Sequence, residues 1–366
     1  MATLGFNDLK NMALPSLWDA AEIAKVQLQD GYTFDKVVAE INAGMQEFNT
    51  SLTTMPHYGE LFAVQDPDEP MVEYPIGVTN GFEEATEYGI PEPKRGATTG
   101  HMLPLKPYDR SVGWTMMALR KARRAKIDTD MRSVVTDARD LWQQKLLNRF
   151  FDSDGETVGN TANASVPFAD GGATDSTYVP PKSGDGEAFT SAHTHFLRYA
   201  TIAAAIGPAL EHLQEHGHNA PFDVIGARAD AATWQALTGW KPPEWPDIVY
   251  HASGVERANI RNITDYFGYV ETEYGIARLW LTPRVPTNYF GAFKGYGPGD
   301  ARNPLRVRID KTVGFGFKLV PGNYANSPLE VALFYAEFGV GIGEDRTNGV
   351  CVYIADSGSY TDPTIS

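Results

Sequence analysis

The stretch HLQEHGH, His212 to His218, contains H-x-x-E-H, the ligand spacing of one class of zinc hydrolase. Histidines four apart share one helix face, and a carboxylate beside the second can act as general base. His212, Glu215 and His216 therefore permit zinc locally. Such an enzyme also needs a carboxylate ligand from a downstream helix. After Gly217 the chain instead runs through PFDVIGARAD into strand-like sequence. The competing reading is the polar end of an amphipathic helix, with the apolar stripe Phe196, Tyr199, Ala203, Ile206, Leu210 and Leu213. Histidine in a last turn suits the helix dipole, and Gly217 stands where helices end. On this reading the helix starts near Thr190 and Ser191. His193 and His195 then lie about five turns before His212, too far to complete a site. The expectation is no metal, no cofactor and no catalytic residue, hence a protein that is not an enzyme.

The remaining motifs are weaker. GVGIGEDRTNG has Glu344 where G-x-G-x-x-G needs its third glycine, and no P-loop lysine, so a strand of small residues entering a hairpin fits better. DSDGE, from Asp152, has its glycine at the fourth position rather than the sixth of a calcium loop, so an Asp-Gly turn is expected. RKARRAK holds the basic cluster Arg120, Lys121, Arg123, Arg124 and Lys126, which could face DNA or pair with a neighbouring subunit's carboxylates. Asn49, Asn163 and Asn262 begin N-x-S/T sequons, without meaning unless the chain is secreted. No Ser-His-Asp or Cys-His set stands out.

The elements that would carry these residues belong to a chain of 366 residues, 42% hydrophobic and 21% charged, long enough for two domains. Its N-terminus lacks a signal-peptide pattern and IAAAIGPAL is too short to span a bilayer, so a soluble intracellular protein is expected, with no membrane partner. Cys351 is the single cysteine, which excludes an internal disulfide and a thiolate zinc site. The net charge of −15 repels phosphate on average and argues against sequence-specific DNA binding.

LWDAAEIAKVQLQDG and TFDKVVAEINAGMQEF carry helical periodicity. Between Met55 and Tyr108, eight prolines interrupt short apolar pieces that include Phe62, Tyr74, Phe82 and Tyr88, which suggests an ordered arm. Two legs of about 20 residues would each reach on the order of 65 Å, beyond the ~55 Å diameter of a compact chain this long. The arm's apolar groups would then be buried on another subunit.

KIDTDMRSVVTDARDLWQQKLLNRFF is the strongest helix, with a stripe through Ile127, Met131, Val134, Ala138, Leu141 and Lys145, widened by Val135, Trp142, Leu146 and Phe150. A Gly-, Ser- and Asp-rich stretch of short strands and loops follows. LRVRIDKTVGFGFKL alternates with period two, and VALFYAEFGVGIGEDRTNGVCVYI reads as two strands joined by a hairpin at Asn348-Gly349.

This order resembles that of the major capsid proteins of tailed bacteriophages, with the α+β Hong Kong 97-type fold. FDVIGARADAATWQAL and GIARLWLTPRVPTNYFGAF are similar to that family's axial-domain elements. FYAEFGVGIGEDRTNGVCVYI is similar to its closing peripheral strands, and the helix from Lys126 to its spine helix. The resemblance implies an N-terminal arm (1–55), an extended loop (56–115), a peripheral domain with spine helix (116–189), an axial domain (190–304), and peripheral return strands with a C-terminal tail (305–366). It implies self-assembly into pentamers and hexamers of an icosahedral virion shell around double-stranded DNA, formed in the host cytoplasm. The partners implied are other copies of the chain, with scaffolding, portal and decoration proteins. An encapsulin-like shell enclosing cargo shares the architecture, and a zinc hydrolase at His212, Glu215 and His216 is the alternative from another class.

Overall fold

Apolar residues at spacings of three and four favour helices, and alternating aromatic and β-branched runs favour strands. The structure, a computed structural model, describes residues 28–54, 58–76, 97–115, 121, 123–158, 161–174, 178–180, 193–243, 265–321, 329–343 and 346–365. Most of LWDAAEIAKVQLQDG, the middle of the expected arm and Arg120 lie outside them.

In chain order the elements are helix α1 (Phe34–Thr54), strands β1 (Phe62–Val64), β2 (Met71–Ile76), β3 (Ala97–Met102) and β4 (Lys106–Thr115), and helix α2 (Arg124–Phe151). Next come β5 (Glu156–Val158), β6 (Thr161–Ser165), β7 (Phe196–Tyr199), helix α3 (Ile202–Glu215), β8 (Phe222–Ala227) and the short helix α4 (Ala231–Gln235). The remainder is β9 (Trp240–Lys241), β10 (Tyr266–Thr272), β11 (Gly275–Thr282), β12 (Tyr289–Phe293), β13 (Leu305–Ile309), β14 (Lys318–Pro321), β15 (Leu329–Ile342) and β16 (Val350–Ile354). The chain is thus mixed α+β, as expected, and divides into two compact units.

The first unit comprises residues 1–49, 108–138 and 317–336. Here α1 buries Met45 and Phe48, three apart, and Phe48 meets Phe317 at 6.1 Å between ring centroids. The Asn49 side chain clasps the Phe317 backbone, donating to its carbonyl and accepting from its N–H, each at 2.9 Å. Strand β14 pairs antiparallel with the first half of β15, from Lys318 opposite Tyr335 to Pro321 opposite Ala332. Ile127, Met131, Val134 and Ala138 of α2 are buried, as the stripe requires.

The second unit comprises residues 50–107, 139–316 and 337–366. Its larger sheet has seven strands in the order β7-β16-β12-β8-β11-β10-β9. Helix α3 lays Ile202, Ala205, Ile206, Ala209, Leu210 and Leu213 onto a core with Val224, Leu279, Phe290 and Val352. Each large apolar side chain so buried contributes about 1.5–3 kcal/mol. In the same unit β1 pairs in parallel with β13, which pairs antiparallel with the second half of β15. Trp142 of α2 meets Phe62, Phe315 and Phe338 there at 4.8–5.4 Å between ring centroids. The α2 stripe therefore continues through Trp142, Leu146 and Phe150, which are buried, while Leu141 and Lys145 flank it half-buried.

Three expectations are corrected. The helix holding His212 starts at Ile202 rather than near residue 190, because Thr201 is extended and its hydroxyl accepts the Ala204 N–H at 3.2 Å as an N-cap. The period-two run after Leu305 is not one strand. Asp310 accepts the N–H groups of Thr312 and Val313, and Gly314 and Gly316 take positive φ, so a turn separates β13 from β14.

Asn348-Gly349 is not a hairpin, because β15 and β16 belong to different sheets. The buried Asn348 amide accepts from the Lys294 N–H at 2.8 Å and donates to the carbonyls of Lys294 and Arg302. As a result β16 lies between β7 and β12 in the larger sheet, although it falls beyond residue 304.

Candidate functional site

The early stop of α3 decides where its histidines go. The 14-residue helix rises about 21 Å, and the extended run from His193 to Tyr199 covers roughly the same distance at ~3.3 Å per residue. Because the chain reverses between β7 and α3, the last turn of the helix returns to the start of the strand. His195 is fixed there by the backbone: its N–H donates to Ala169 and its carbonyl accepts from Cys351.

Three imidazoles consequently converge. His216 Nε2 lies 3.1 Å from His195 Nε2 and 3.2 Å from His193 Nε2. All three ligand-type nitrogens fall within 4.8 Å of one another. His195 is fully buried, His216 nearly so and His193 half-buried. The His195 Nδ1–H donates to the Gly349 carbonyl at 2.9 Å, which leaves Nε2 bare in the neutral ring. His212 stands beside the trio, 5.7 Å from His193 and His195 between ring centroids, with Nδ1–H donating to the Pro208 carbonyl. Burial disfavours the imidazolium, so His193 is lowered to about 4 and His195 well below its ordinary value, with neighbouring histidines adding to both.

Of the H-x-x-E-H residues, only His216 belongs to this converging group; His212 is adjacent, and Glu215 is not a member. The separation of about five turns for His193 and His195 is corrected, since they precede a strand rather than lie on the helix. His-Thr-His was the available signal, because residues two apart share one face of an extended chain.

The other motifs resolve differently. Asp152 accepts the Asp154 N–H at 3.0 Å, the turn expected of DSDGE. In GVGIGEDRTNG, Gly339 and Gly341 lie within β15, where a Cβ would run into the Pro104 carbonyl and the Leu103 side chain. Smallness there serves close packing of chain on sheet. Of the basic cluster, Lys121, Arg123 and Lys126 are exposed. Arg124 instead binds Glu40 at 2.6 Å, donates its backbone N–H to Asp30 and covers the Tyr32 ring. Those contacts lie within its own subunit. Strands β2 and β3 pair antiparallel from Met71 opposite Met102 to Ile76 opposite Ala97, with Val72 and His101 buried and Met71 exposed.

Among the described residues, no helix is long and apolar enough to cross a membrane. No family model and no curated protein matches the sequence. Among solved structures, the chain is similar to one of Mycobacterium phage Patience at 20% identity and a TM-score of 0.59, covering 95% of this chain and 97% of that one. It thus shares that structure's fold nearly end to end. Likeness is lower to the capsid of an empty GTA particle (11% identity, TM-score 0.46, 84% and 90% covered) and to the satellite phage P4 procapsid (14%, 0.41, 88% and 92%).

Proposed function

We propose that the chain is a major capsid protein of a tailed virus, assembling into hexamers and pentamers of an icosahedral shell around double-stranded DNA. The observation that carries this reading is the end-to-end fold likeness to the Mycobacterium phage Patience structure. The sequence resemblance to the Hong Kong 97-type capsid proteins supports it. On this reading α2 is the spine helix, strands β7 to β12 of the sheet packed by α3 belong to the axial domain (190–304), the strands after residue 304 are the peripheral return strands, and β2 with β3 forms the base of the extended loop. Residues 1–55 are the N-terminal arm. The basic cluster of Arg120, Lys121, Arg123, Arg124 and Lys126 serves contact with a neighbouring subunit or with the packaged DNA, which is held without sequence specificity. Scaffolding, portal and decoration proteins are the expected partners, the host cytoplasm the site of assembly and the virion the destination.

A two-stranded hairpin is marginal when solvated alone, so its burial on another copy is what makes it useful. Ile76 and Ala97 face each other across the pair, so an Asn-Gly turn can join them in place of residues 77–96. The shortened chain should fold, with unchanged circular dichroism, yet fail to form shells in sedimentation. Shells of normal size from the shortened chain would contradict the loop's role.

A further inference from the structure

We propose that His193, His195 and His216 bind one divalent transition-metal ion of the zinc type, a structural clamp between the start of β7 and the end of α3. The proposal is independent of the capsid reading and departs from the sequence expectation of no metal. Geometry carries it. Zinc bonds to imidazole nitrogen are about 2.0–2.1 Å long, so tetrahedral ligands stand roughly 3.3–3.4 Å apart. The two close nitrogen pairs, at 3.1 and 3.2 Å, already lie within a few tenths of an ångström of that spacing.

Proton bookkeeping points the same way. His216 Nε2 has two nitrogen neighbours and carries at most one proton. His195 Nε2 is bare in the neutral ring, because Nδ1–H donates to Gly349. An ion at the point of convergence turns both contacts into ligand bonds. The His195–Gly349 hydrogen bond is the outer contact that orients a metal-binding imidazole and sets its tautomer.

The ligand set selects the metal. The group contains no carboxylate, which disfavours calcium and magnesium, whereas three imidazoles suit zinc, cobalt, nickel or copper. The fourth position falls to water. Among the described residues Glu215 lies outside the group, so the role assigned to the site is to hold β7 against α3 rather than to hydrolyse a substrate.

The test is a titration of chelator-treated full-length protein with zinc against a chromophoric chelator, with cobalt(II) absorption as the coordination readout. One ion per chain and a tetrahedral cobalt spectrum are expected. His193→Ala, at the half-buried member, should weaken binding about 100-fold or more, and Glu215→Ala should leave it unchanged. Far-ultraviolet circular dichroism without metal shows that each variant is folded, and the wild-type titration decides even if one is not. No stoichiometric ion with zinc in excess, or binding that survives in folded His193→Ala, would overturn the site. Loss of the ion in folded Glu215→Ala would return the site to the H-x-x-E-H arrangement.

Discussion

His195 and His216 are 21 residues apart in the chain, yet their Nε2 atoms lie 3.1 Å from each other. The contact depends on Thr201, which ends the extended run and starts α3. Removing that cap tests the dependence. Thr201→Ala should lower stability by about 1 kcal/mol, within the range typical of N-caps. Urea denaturation of unassembled subunits measures it, and an unchanged midpoint would show that the cap does not set the start of the helix.

Asp223 is fully buried and accepts from the Trp280 indole at 2.8 Å and from Arg278 at 2.5 Å, while Arg278 also reaches Glu60. Burial raises the Asp223 carboxyl and the Arg278 charge opposes that rise. Asp223→Ala leaves the buried Trp280 indole N–H without its acceptor, while the part-exposed Arg278 keeps Glu60, so the loss should be about 1–3 kcal/mol. In a double-mutant cycle with Arg278→Met, the second change should cost much less in the Asp223→Ala background than in wild type. Additive losses would show that the two groups do not interact.

His101, buried in the second unit, is held at about 3, chiefly by burial and then by the positive charges of Arg346 and Arg149. An unfolded histidine titrates near 6.5. Between these values the unfolded state binds the extra proton, so this contribution to stability is full above about pH 6.5 and is lost as pH falls towards 3. The slope from this residue is at most about 1.4 kcal/mol per pH unit. Denaturation midpoints at pH 7 and pH 5 should differ in that direction, and His101→Gln should shrink the difference. An unchanged pH response in the variant would remove His101 as its source.

Gly339 lies where the Pro104 carbonyl crosses β15. Gly339→Ala should destabilise the subunit by about 1–3 kcal/mol through overpacking, whereas Gly44→Ala, at a position with open space beyond the backbone, should be neutral or mildly stabilising. Equal effects in thermal melts would contradict the close approach at residue 104.

The long helices were legible in the sequence because their burial repeats every three to four residues, as Ile127, Met131, Val134 and Ala138 show. Local turn chemistry was harder to read. Asp310 breaks a period-two run by binding two backbone N–H groups, which alternation of apolar residues cannot reveal. Asn348 belongs to a pair suited to hairpins, but its amide joins Lys294 and Arg302, which are distant in sequence. The histidine cluster was hidden for the same reason. Helical spacing extended smoothly back from His212, and only the competition between an extended Phe196–Tyr199 run and the Thr201 cap placed His193 and His195 opposite His216.

Assembly is the central claim, and electron microscopy of the purified full-length chain, expressed alone and with scaffolding protein, tests it most directly. Closed icosahedral shells built of pentamers and hexamers are the predicted result. A chain that stays monomeric or dimeric under every assembly condition would contradict it, and shells packed with a protein cargo instead of DNA would transfer the fold to an encapsulin-like container.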